Sequence, residues 1–353
     1  MSNSTLESAY VTQVIDYTKR VLKDIPFYSR YSEIKKISSY SEFLQLPVIT
    51  KEDYRIHWDD LVNPLINKDD LIIDFTSGST GQPLRVARTL SETNYARKTL
   101  WKYRKNWFPN SLIARRAEFG RNMRYFLKNP EELFLQNDNV MFVKGIVSKE
   151  LASKYIEKLE EFQPEWFIGS PSFLAQLARF IKGKSYNLNL RLIECTGEFL
   201  YEHIRDELIE AFNCPVVNHY GSREVWPIAF ECKKGSFHIN ESDVFLEILK
   251  DGAPAQVGEV GEVVVTSLRI NSLPLLRYKL GDLGRIIKTN CKCGDKSASI
   301  EIMSSRSSDY AVSRTGTRTG AYFFSTIFVD QILRSGYGGI NNWQVIQKDY
   351  DEF

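Results

Sequence analysis

The chain has 353 residues, and its 46 lysines and arginines nearly balance 44 aspartates and glutamates, which leaves a net charge of +2. This balance argues against a dedicated nucleic-acid binder, because such a protein carries a strong basic excess. No apolar run approaches the roughly 18 residues that a membrane-spanning helix needs, so the sequence predicts a soluble globular protein. At roughly 100 to 200 residues per domain, the length predicts two or three structural units.

The N-terminal residues and the cysteines indicate the compartment. The first 13 residues lack the basic start and the apolar stretch of a secretory signal, so we expect a cytoplasmic location. The five cysteines are an odd number in a chain without an export signal, which argues against a disulfide framework. Aromatic residues make up 13% of the chain, enough to fill cores and also to contact a flat aromatic ligand.

The N-terminal part is predicted to begin with helices and to continue into two strands. Residues 1–70 show helix-like apolar spacing and then a proline-punctuated stretch, which predicts a helical segment. Residues 71–75 and 84–89 have the pattern of short buried strands around a loop rich in Gly, Ser and Thr. Ser91 is the predicted N-cap of a helix that runs to about Trp107.

From about residue 139 the pattern alternates between strands and helices. The predicted elements, in order along the chain, are strand 139–143, helix 149–162, strand 166–168, helix 171–181, strand 190–195, helix 201–212 and strand 215–220. This alternation predicts an α/β domain with a parallel, helix-flanked sheet, which we place at 71–227. After Trp226, strands at short spacing predict a smaller β-rich subdomain at 228–312, barrel-like or meandering. Residues 313–353 follow as a short C-terminal segment with one predicted helix, 323–333.

The loop between the first two strands has the composition of a phosphate-binding site. Its small residues allow successive backbone N–H groups to point into one concavity, and its hydroxyl groups add donors for a polyphosphate. The loop residues are Thr76, Ser77, Gly78, Ser79, Thr80 and Gly81. No Gly-Lys-Ser/Thr sequence follows, so the loop is not a Walker motif. A flexible turn between two strands explains the loop alone equally well.

Two polar groups follow predicted parallel strands, one at 196–198 and one at 219–224. Ligands of open α/β sheets bind outside these carboxyl ends of strands. In the second group Tyr220 can stack on a base, and the Glu224 carboxylate suits Mg²⁺, which takes few carboxylates and keeps room for phosphates. The alternative is that Glu224 pairs with Arg223 on a solvated loop.

A third polar group lies in the β-rich part, where Gly281 and Asp282 follow residues 276–280. A carboxylate there can accept hydrogen bonds from both hydroxyls of a ribose, as acidic residues do in dinucleotide-binding folds. Arg306, further along the chain, can neutralise phosphate. Taken alone, the Gly-Asp pair is equally typical of a turn.

In this order, the polar groups resemble the motifs of the adenylate-forming superfamily, which includes acyl-CoA synthetases, adenylation domains and luciferases. The resemblance rests on TSGSTGQP, TGE, YGSRE, LPLLRYKLGDL and SRSSD. The nearest branch is the phenylacetate-CoA ligase and CapK-like group, which shares the patterns at 231–232, 238–239 and 243–247. The resemblance covers residues 70 to 330 or so, and it implies the α/β fold of an acyl-CoA synthetase large domain with a β-rich subdomain.

The resemblance also implies a role for each matching residue. The implied reaction is attack of a substrate carboxylate on the α-phosphorus of ATP, which gives acyl-AMP and pyrophosphate. Residues 77–81 would hold the phosphates, and Glu224 and Arg306 would be the catalytic residues, with Glu224 as the Mg²⁺ ligand. The further residues implied to bind the nucleotide are Thr76, Gly197, Glu198, Tyr220, Gly221, Ser222 and Asp282. The residues implied to line the acid pocket are Gly197, Trp226 and Pro227.

The sequence departs from the family pattern around Arg306. The usual Gly-Arg-x-Asp-Asp is replaced at 305–309 by Ser-Arg-Ser-Ser-Asp. Family members continue into a mobile domain that carries a catalytic lysine, and this domain would need roughly 80 to 100 further residues. The resemblance therefore implies a form that lacks this C-terminal lid domain. The step that this departure puts in question is thioester formation with coenzyme A.

In length and aromatic richness, such a form resembles the adenylating enzymes of phenazine antibiotic biosynthesis in the griseoluteate pathway. That likeness implies a planar aromatic carboxylic acid, such as a phenazine carboxylate, and a protein partner that accepts the acyl group. Two alternatives stay open. One is an aryl-CoA ligase of the phenylacetate-CoA ligase type whose thiolation half comes from another chain, and the other is a non-catalytic protein that binds nucleotide or acid.

Four side chains in the β-rich part have the ligand chemistry of a zinc site. Cys232, His238, Cys291 and Cys293 provide three thiols and an imidazole, the number that tetrahedral zinc needs. The resemblance to the family also implies zinc, because some members have a similar arrangement of ligands that forms a structural zinc site. The sequence leaves both zinc and four unmetallated side chains open, and it favours the unmetallated state by a small margin, because Cys-x-Cys is a less common ligand spacing.

Overall fold

The computed structural model describes most of the chain. It covers residues 3–31, 37–75, 84–120, 133–144, 149–287, 291–306, 310–312, 314, 318–320 and 346–350. The predicted phosphate loop, 76–81, and the predicted helix 323–333 lie outside the described residues. The chain divides into two compact units, which we call unit one and unit two. Unit one comprises Met1–Leu112, Asn218–Leu280 and Gly284–Glu301, and unit two comprises Ile113–Val217, Gly281–Leu283 and Ile302–Phe353.

Unit one begins with helices, as the sequence predicts. They are α1 Asn3–Asp24, α2 Pro26–Ser29, α3 Tyr40–Phe43, α4 Lys51–Ile56, α5 Trp58–Leu61 and α6 Leu90–Trp107. The prediction that Ser91 caps α6 is wrong, because Thr89 is the N-cap. Its hydroxyl accepts the Glu92 N–H, and the Glu92 carboxylate accepts the Thr89 N–H. This reciprocal pair of hydrogen bonds satisfies two backbone donors at once. Ser91 lies inside the helix, after its first residue, and is therefore not the cap.

The first two strands form an isolated antiparallel pair. Strand β1 is Leu71–Phe75 and strand β2 is Arg85–Thr89, so both predicted strands are confirmed. The prediction that both are buried is wrong for β1, where Phe75 is 49% exposed. The two strands form a sheet of their own, in which β1 is only partly covered. The middle residues of β2, in contrast, are buried.

Unit two contains the predicted alternation of strands and helices. Its elements are β3 Arg116–Phe119, β4 Leu133–Asn137, β5 Val140–Val143, α7 Lys149–Phe162, β6 Trp166–Gly169, α8 Pro171–Ile181, β7 Leu192–Thr196 and α9 Glu202–Phe212. The strand order is β7-β6-β3-β5-β4, parallel except that β4 runs antiparallel to β5. The helix-flanked parallel sheet is therefore confirmed, although β3 and β4 were not predicted.

The core of unit two lies between this sheet and its helices. Phe167 on β6 packs edge-on against Phe119 on β3 and against Phe212 on α9. Helix α8 contributes Leu174 and other fully buried side chains to the same cluster. Burying each such side chain is worth about 1.5 to 3 kcal/mol, so this cluster is a main source of stability for unit two. Cys195 is fully buried in it.

The remaining strands, most of whose residues belong to unit one, form a largely antiparallel array. They are β8 Val216–Ser222, β9 Trp226–Glu231, β10 Phe237–Ile239, β11 Val244–Lys250, β12 Ala253–Pro254, β13 Gly261–Ser267, β14 Tyr278–Ile287 and β15 Ser299–Arg306. Their order is β12-β11-β13-β14-β15-β10-β9-β8. This confirms a β-rich part after Trp226. The close spacing of its strands follows from hairpin connections, which need few residues.

A buried ion pair joins the N-terminal segment of unit one to this array. The Arg277 guanidinium donates to both carboxylate oxygens of Glu247, at 3.3 and 3.1 Å. It also donates to the carbonyl oxygens of Leu44 and Leu46, each at 2.6 Å. Both charged side chains are almost fully buried, so each compensates the other's loss of hydration.

A short antiparallel pair, β16 Tyr310–Val312 and β17 Arg318–Gly320, also belongs to unit two.

Among the residues that the structure describes, no helix combines the length and the apolar character needed to cross a membrane.

Candidate active site

The turn between β8 and β9 holds the carboxylate that the sequence singles out. Glu224 lies on this turn and is only 6% exposed. Its Oε1 accepts a hydrogen bond of 3.1 Å from the phenol of Tyr278, the first residue of β14. A buried carboxylate with a defined hydrogen bond has a fixed orientation, unlike one on a solvated loop.

Arg223, the neighbour of Glu224, takes no part in pairing with it. The Arg223 guanidinium forms an ion pair with Asp74 on β1. The alternative in which Glu224 and Arg223 neutralise each other on a solvated loop is therefore wrong. The two side chains have different surroundings: Glu224 is buried, whereas the Arg223 side chain is more than half exposed.

Arg88 on β2 supports the same turn. Its guanidinium donates to the Arg223 carbonyl oxygen, and its Cζ lies 4.9 Å from the centroid of the Trp226 ring. Burial lowers the pKa of Arg88 to about 10, so the side chain stays charged at neutral pH. A buried cation over an indole face is stabilising by about 2 kcal/mol. Arg88 therefore fixes both the backbone and the aromatic ring of this turn.

The backbone of the turn explains its glycine. A Cβ on Gly221 would lie 2.6 Å from the Trp226 carbonyl oxygen, closer than packed atoms approach. Ser222 accepts the Val225 N–H at 3.2 Å through its hydroxyl, which closes the turn. Trp226 itself has a φ of 62°, a conformation that is unusual for a residue with a side chain. The turn thus stores local strain at the position expected to face the acid.

Two other predicted residues lie in or next to the same turn. The Tyr220 ring is partly exposed, and its centroid lies 6.4 Å from that of Phe237. Pro227 is buried and its carbonyl oxygen accepts a hydrogen bond from Asn240. The structure therefore brings Tyr220, Glu224 and Pro227 into one short region of unit one.

The predicted residues after β7 belong to unit two. Gly197 has a φ of 89°, which suits a residue without a side chain. The exposed Glu198 carboxylate accepts the Ser172 N–H, at 3.2 Å, in the first turn of α8. An anion at that position complements the free N–H groups and the dipole of the helix. Glu198 therefore has a structural contact that the sequence did not predict.

Asp282 and Arg306 are the last predicted nucleotide contacts. Asp282 lies within β14, half-buried, directly after Gly281 with its φ of 87°. Residues 281–283 count with unit two. Arg306 is the last residue of β15, and its side chain lies outside the described part of the chain.

The four predicted zinc ligands come together in unit one. The ligand atoms of Cys232, His238, Cys291 and Cys293 all lie within 4.8 Å of one another. The Sγ atoms of Cys232 and Cys291 are 3.5 Å apart, and Cys293 Sγ is 3.2 Å from His238 Nε2. The two halves of this cluster lie far apart in the sequence, so the strand pairing and not local spacing assembles it.

The groups around the cluster orient its ligands. His238 Nδ1 lies 3.2 Å from the Ser297 carbonyl oxygen, so a proton on Nδ1 leaves the Nε2 lone pair facing Cys293. Backbone N–H groups of Lys234 and Asp295 approach the Sγ atoms of Cys232 and Cys293, each at 3.4 Å. Such donors stabilise negative charge on sulfur. The donor set and its surroundings fit a tetrahedral zinc ion.

Sequence reasoning missed two residues at the candidate active site, Arg88 and Tyr278. The contact of Arg88 with the turn spans 135 positions, and that of Tyr278 with Glu224 spans 54. The one available signal for Arg88 was a charged residue inside a strand of buried neighbours. Such a residue needs a partner, but the pattern cannot say which.

Comparison with known proteins identifies the family. The family described as "AMP-binding enzyme" matches residues 21–270, well over half of the chain. The chain belongs to the AMP-binding enzyme family. This agrees with the order of motifs in the sequence and with the buried carboxylate on the β8–β9 turn.

Two curated relatives place the chain within this family at low identity. Protein CapK of Staphylococcus aureus is 28% identical over 284 residues, which cover 76% of this chain and 60% of CapK. A phenylacetate-coenzyme A ligase of Thermus thermophilus is 25% identical over 298 residues, which cover 78% of this chain and 64% of the ligase. The matches thus span less than two thirds of the length of these relatives.

Solved structures confirm the predicted fold class. A 2-hydroxyisobutyryl-CoA ligase in the postadenylation state, in complex with 2-HIB-AMP, superposes with a TM-score of 0.73 at 17% identity. The superposition covers 96% of this chain and 75% of the ligase. An open conformation of that ligase with 2-HIB-AMP and CoA gives a TM-score of 0.70. The chain therefore has the α/β fold of acyl-CoA ligases.

Proposed function

We propose that this protein adenylates an aromatic carboxylic acid with ATP, giving acyl-AMP and pyrophosphate. The observation that carries the proposal is the buried Glu224 carboxylate on the β8–β9 turn of a chain that belongs to the AMP-binding enzyme family. In a site built for transfer to phosphorus, positioning and charge stabilisation supply most of the rate. A rigid turn with a fixed carboxylate suits that task.

The proposed roles follow the order of the motifs. The loop 76–81 receives the β- and γ-phosphates through its N–H and hydroxyl groups. Asp282 accepts the ribose hydroxyls, and Arg306 stabilises charge on the phosphate or contacts the ribose. The residues proposed to surround adenine are Gly197, Glu198, Tyr220, Gly221 and Ser222. The aromatic acid lies against Gly197, Trp226 and Pro227.

The reaction breaks one bond to phosphorus and makes another. A carboxylate oxygen of the acid attacks the α-phosphorus of ATP, and the bond from that phosphorus to the bridging oxygen breaks. Pyrophosphate leaves with the electron pair, so no proton has to be moved. The protein holds the acid beside the α-phosphate, which converts a bimolecular encounter into a step within one complex.

Glu224 is the proposed ligand for Mg²⁺. Its carboxylate is a hard oxygen donor, and it is the single carboxylate on the turn 223–225. One carboxylate suits Mg²⁺, because this ion keeps most of its coordination sites for phosphate oxygens and water. When bound, Mg²⁺ neutralises part of the charge that develops on the phosphates.

The finer identity of the substrate is also a proposal. A phenazine carboxylate of antibiotic biosynthesis is planar and would stack on the Trp226 indole, which Arg88 holds in place. In this version the acyl-AMP passes to a protein partner. A second candidate function is an aryl-CoA ligase, favoured by the name of the Thermus thermophilus relative.

We further propose that the cluster of Cys232, His238, Cys291 and Cys293 holds a structural zinc ion. The support is the set of ligand distances and the carbonyl oxygen that fixes the His238 tautomer. A bound zinc ion would join the 291–293 segment to β9 and β10 in place of a larger apolar core.

Pyrophosphate exchange into ATP tests the proposed function. Benzoate, phenylacetate and a phenazine carboxylate are each supplied, and exchange is compared between the wild type, Glu224→Gln and the control Glu157→Gln on the exposed face of α7. We expect exchange with at least one aromatic acid in the wild type and in the control, and a large loss in Glu224→Gln. Exchange followed by thioester formation with CoA would favour the second candidate. Nucleotide binding without exchange for any acid would contradict the proposal.

A further inference from the structure

The hydrogen bond between Tyr278 and Glu224 links β14 to the proposed metal ligand, and any role for it in metal binding rests on the proposed function. Within the part of the chain that the structure describes, Tyr278 is the side chain that donates a hydrogen bond to this carboxylate. Arg88 lies near enough to attract the Glu224 charge. The carboxylate therefore has one neutral hydrogen-bond donor and a nearby cation that competes for it.

Tyr278 is itself held rigidly. Its side chain is fully buried, and its ring centroid lies 5.8 Å from that of Tyr54. On either side of it, the Ile49 N–H donates to the Arg277 carbonyl oxygen and the Lys279 N–H donates to the Ile49 carbonyl oxygen, both at 2.9 Å. A hydroxyl on such a support occupies one place relative to β14. It can therefore define where Glu224 Oε1 lies.

The bond from Tyr278 uses only part of the hydrogen-bonding capacity of the Glu224 carboxylate. An ionised carboxylate has about four acceptor positions on two oxygens, so one bond from Tyr278 leaves most of them for another ligand.

We infer that Tyr278 is a positioning residue for the metal-binding carboxylate. It fixes one oxygen of Glu224 and leaves the second oxygen directed to the cation that accompanies ATP. Without the hydroxyl, the carboxylate can turn toward the Arg88 guanidinium and lose that orientation. Groups that orient a metal ligand in this way contribute about 10- to 100-fold to metal affinity.

The test measures metal affinity and needs no turnover. Calorimetry gives the affinity for ATP with Mn²⁺ and with a chelator, and the ratio of the two is the metal-dependent gain. We expect both Tyr278→Phe and Glu224→Gln to reduce this gain by about tenfold or more and to leave metal-free ATP affinity unchanged. The matched control is Tyr17→Phe, which removes another buried hydroxyl, one bonded to Ser267 and Ile270, and should leave the gain intact.

A second variant covers the case in which Tyr278→Phe does not fold. Glu224→Asp keeps the charge and leaves Tyr278 in place, but its shorter side chain withdraws from the hydroxyl. It should lose a similar part of the metal-dependent gain, whereas full retention would contradict the inference. A steady-state assay adds a further readout, since the positioning role predicts a higher half-saturating Mg²⁺ concentration with an unchanged rate at saturation.

Three results would overturn the inference. Loss of the gain in Glu224→Gln but not in folded Tyr278→Phe would remove the positioning role alone. No gain in the wild type, or full gain in Glu224→Gln, would remove the metal role of Glu224 together with it. Failure of the proposed function is distinguishable, because it would appear as absent pyrophosphate exchange while the predicted pattern of metal affinities persists.

Discussion

Asp282 lies in strand β14, directly after a glycine with a positive φ. It follows Gly281, whose φ of 87° interrupts the regular geometry of β14, and its side chain is half-buried. A carboxylate in this setting is oriented by the backbone on both sides while part of it remains accessible. This is the arrangement expected of a group that accepts two hydroxyls from one ligand.

The substitution Asp282→Ala tests this residue. We expect weaker ATP binding in a folded protein, because hydrogen bonds to a charged acceptor contribute about 1.5 to 3 kcal/mol, or roughly 10- to 150-fold in affinity. Calorimetry measures the effect, and the exposed Asp69→Ala serves as the control. Unchanged ATP affinity in folded Asp282→Ala would exclude Asp282 from the site.

At the scale of single residues, the sequence predicts which residues belong to the candidate site better than it predicts the contacts that they make. Glu224 and Asp282 were chosen because their motifs resemble a family, and their side-chain chemistry suits a metal and a ribose. The partners of Glu224 could not be chosen in this way, since Tyr278 reaches it only after β14 is placed in the array. The contact of Glu198 with α8 was missed for the same reason.

At the scale of elements, the Arg277–Glu247 pair is a buried charged link between segments of unit one. It joins β11 to the residue before β14 and to the carbonyl oxygens at 44 and 46. Burial raises the pKa of Glu247 above its ordinary value of 4.5, and Arg277 opposes that rise. The folded protein therefore binds a proton at Glu247 more readily than the unfolded chain does.

This asymmetry predicts a pH-dependent effect of Arg277→Met. Removing the guanidinium leaves the Glu247 carboxylate buried without compensation, which costs about 3 to 5 kcal/mol at pH 7.5. Because the folded-state pKa of Glu247 then rises further, the stability lost by the variant should be partly regained as the pH falls toward 5. Urea unfolding at several pH values measures the change.

Two control variants accompany this prediction. Arg30→Met removes a half-exposed arginine of unit one whose partner, Asp60, is also exposed, and it should cost little at any pH. The double variant Arg277→Met/Glu247→Gln has no charge left at this pair, so the additional pH dependence of Arg277→Met should be absent from it. A constant loss for Arg277→Met from pH 5 to 7.5 would contradict the argument.

The four-ligand cluster predicts a metal content. Protein purified without metal-affinity steps should contain about one equivalent of zinc, and Cys293→Ser should lower both this content and the melting temperature. Elemental analysis and thermal unfolding with and without a chelator measure these effects. Cys214→Ser, at a buried thiol outside the cluster, is the control and should keep its zinc. Absence of zinc from protein made in zinc-supplemented medium would refute the site.

Elements with strong local signals were predicted well, and those with weak ones were not. The helices Lys149–Phe162 and Pro171–Ile181 match the prediction to the residue, because each has an apolar stripe and a clear start. Strand Arg116–Phe119 was missed because it has four residues, two of them charged, and takes its place from parallel neighbours on both sides. Tertiary pairing overrides a short sequence pattern here.

For the whole molecule, family membership and fold follow from independent observations. The family match covers residues 21–270, and the structural likeness covers nearly the whole chain at an identity too low to suggest a shared substrate. We therefore propose that local features such as the Trp226 turn set the choice of acid. Arg88→Met should increase the Michaelis constant for the acid more than that for ATP, because it releases the indole but not the nucleotide contacts.

The central claim is that a carboxylate oxygen of the acid attacks the α-phosphorus of ATP. An aromatic acid that supports pyrophosphate exchange is prepared with oxygen-18 in its carboxylate and incubated with the protein, ATP, Mg²⁺ and hydroxylamine as acyl acceptor. The account predicts AMP that carries one labelled oxygen, together with the hydroxamate of the acid. Unlabelled AMP, or the formation of ADP in place of AMP, would contradict it.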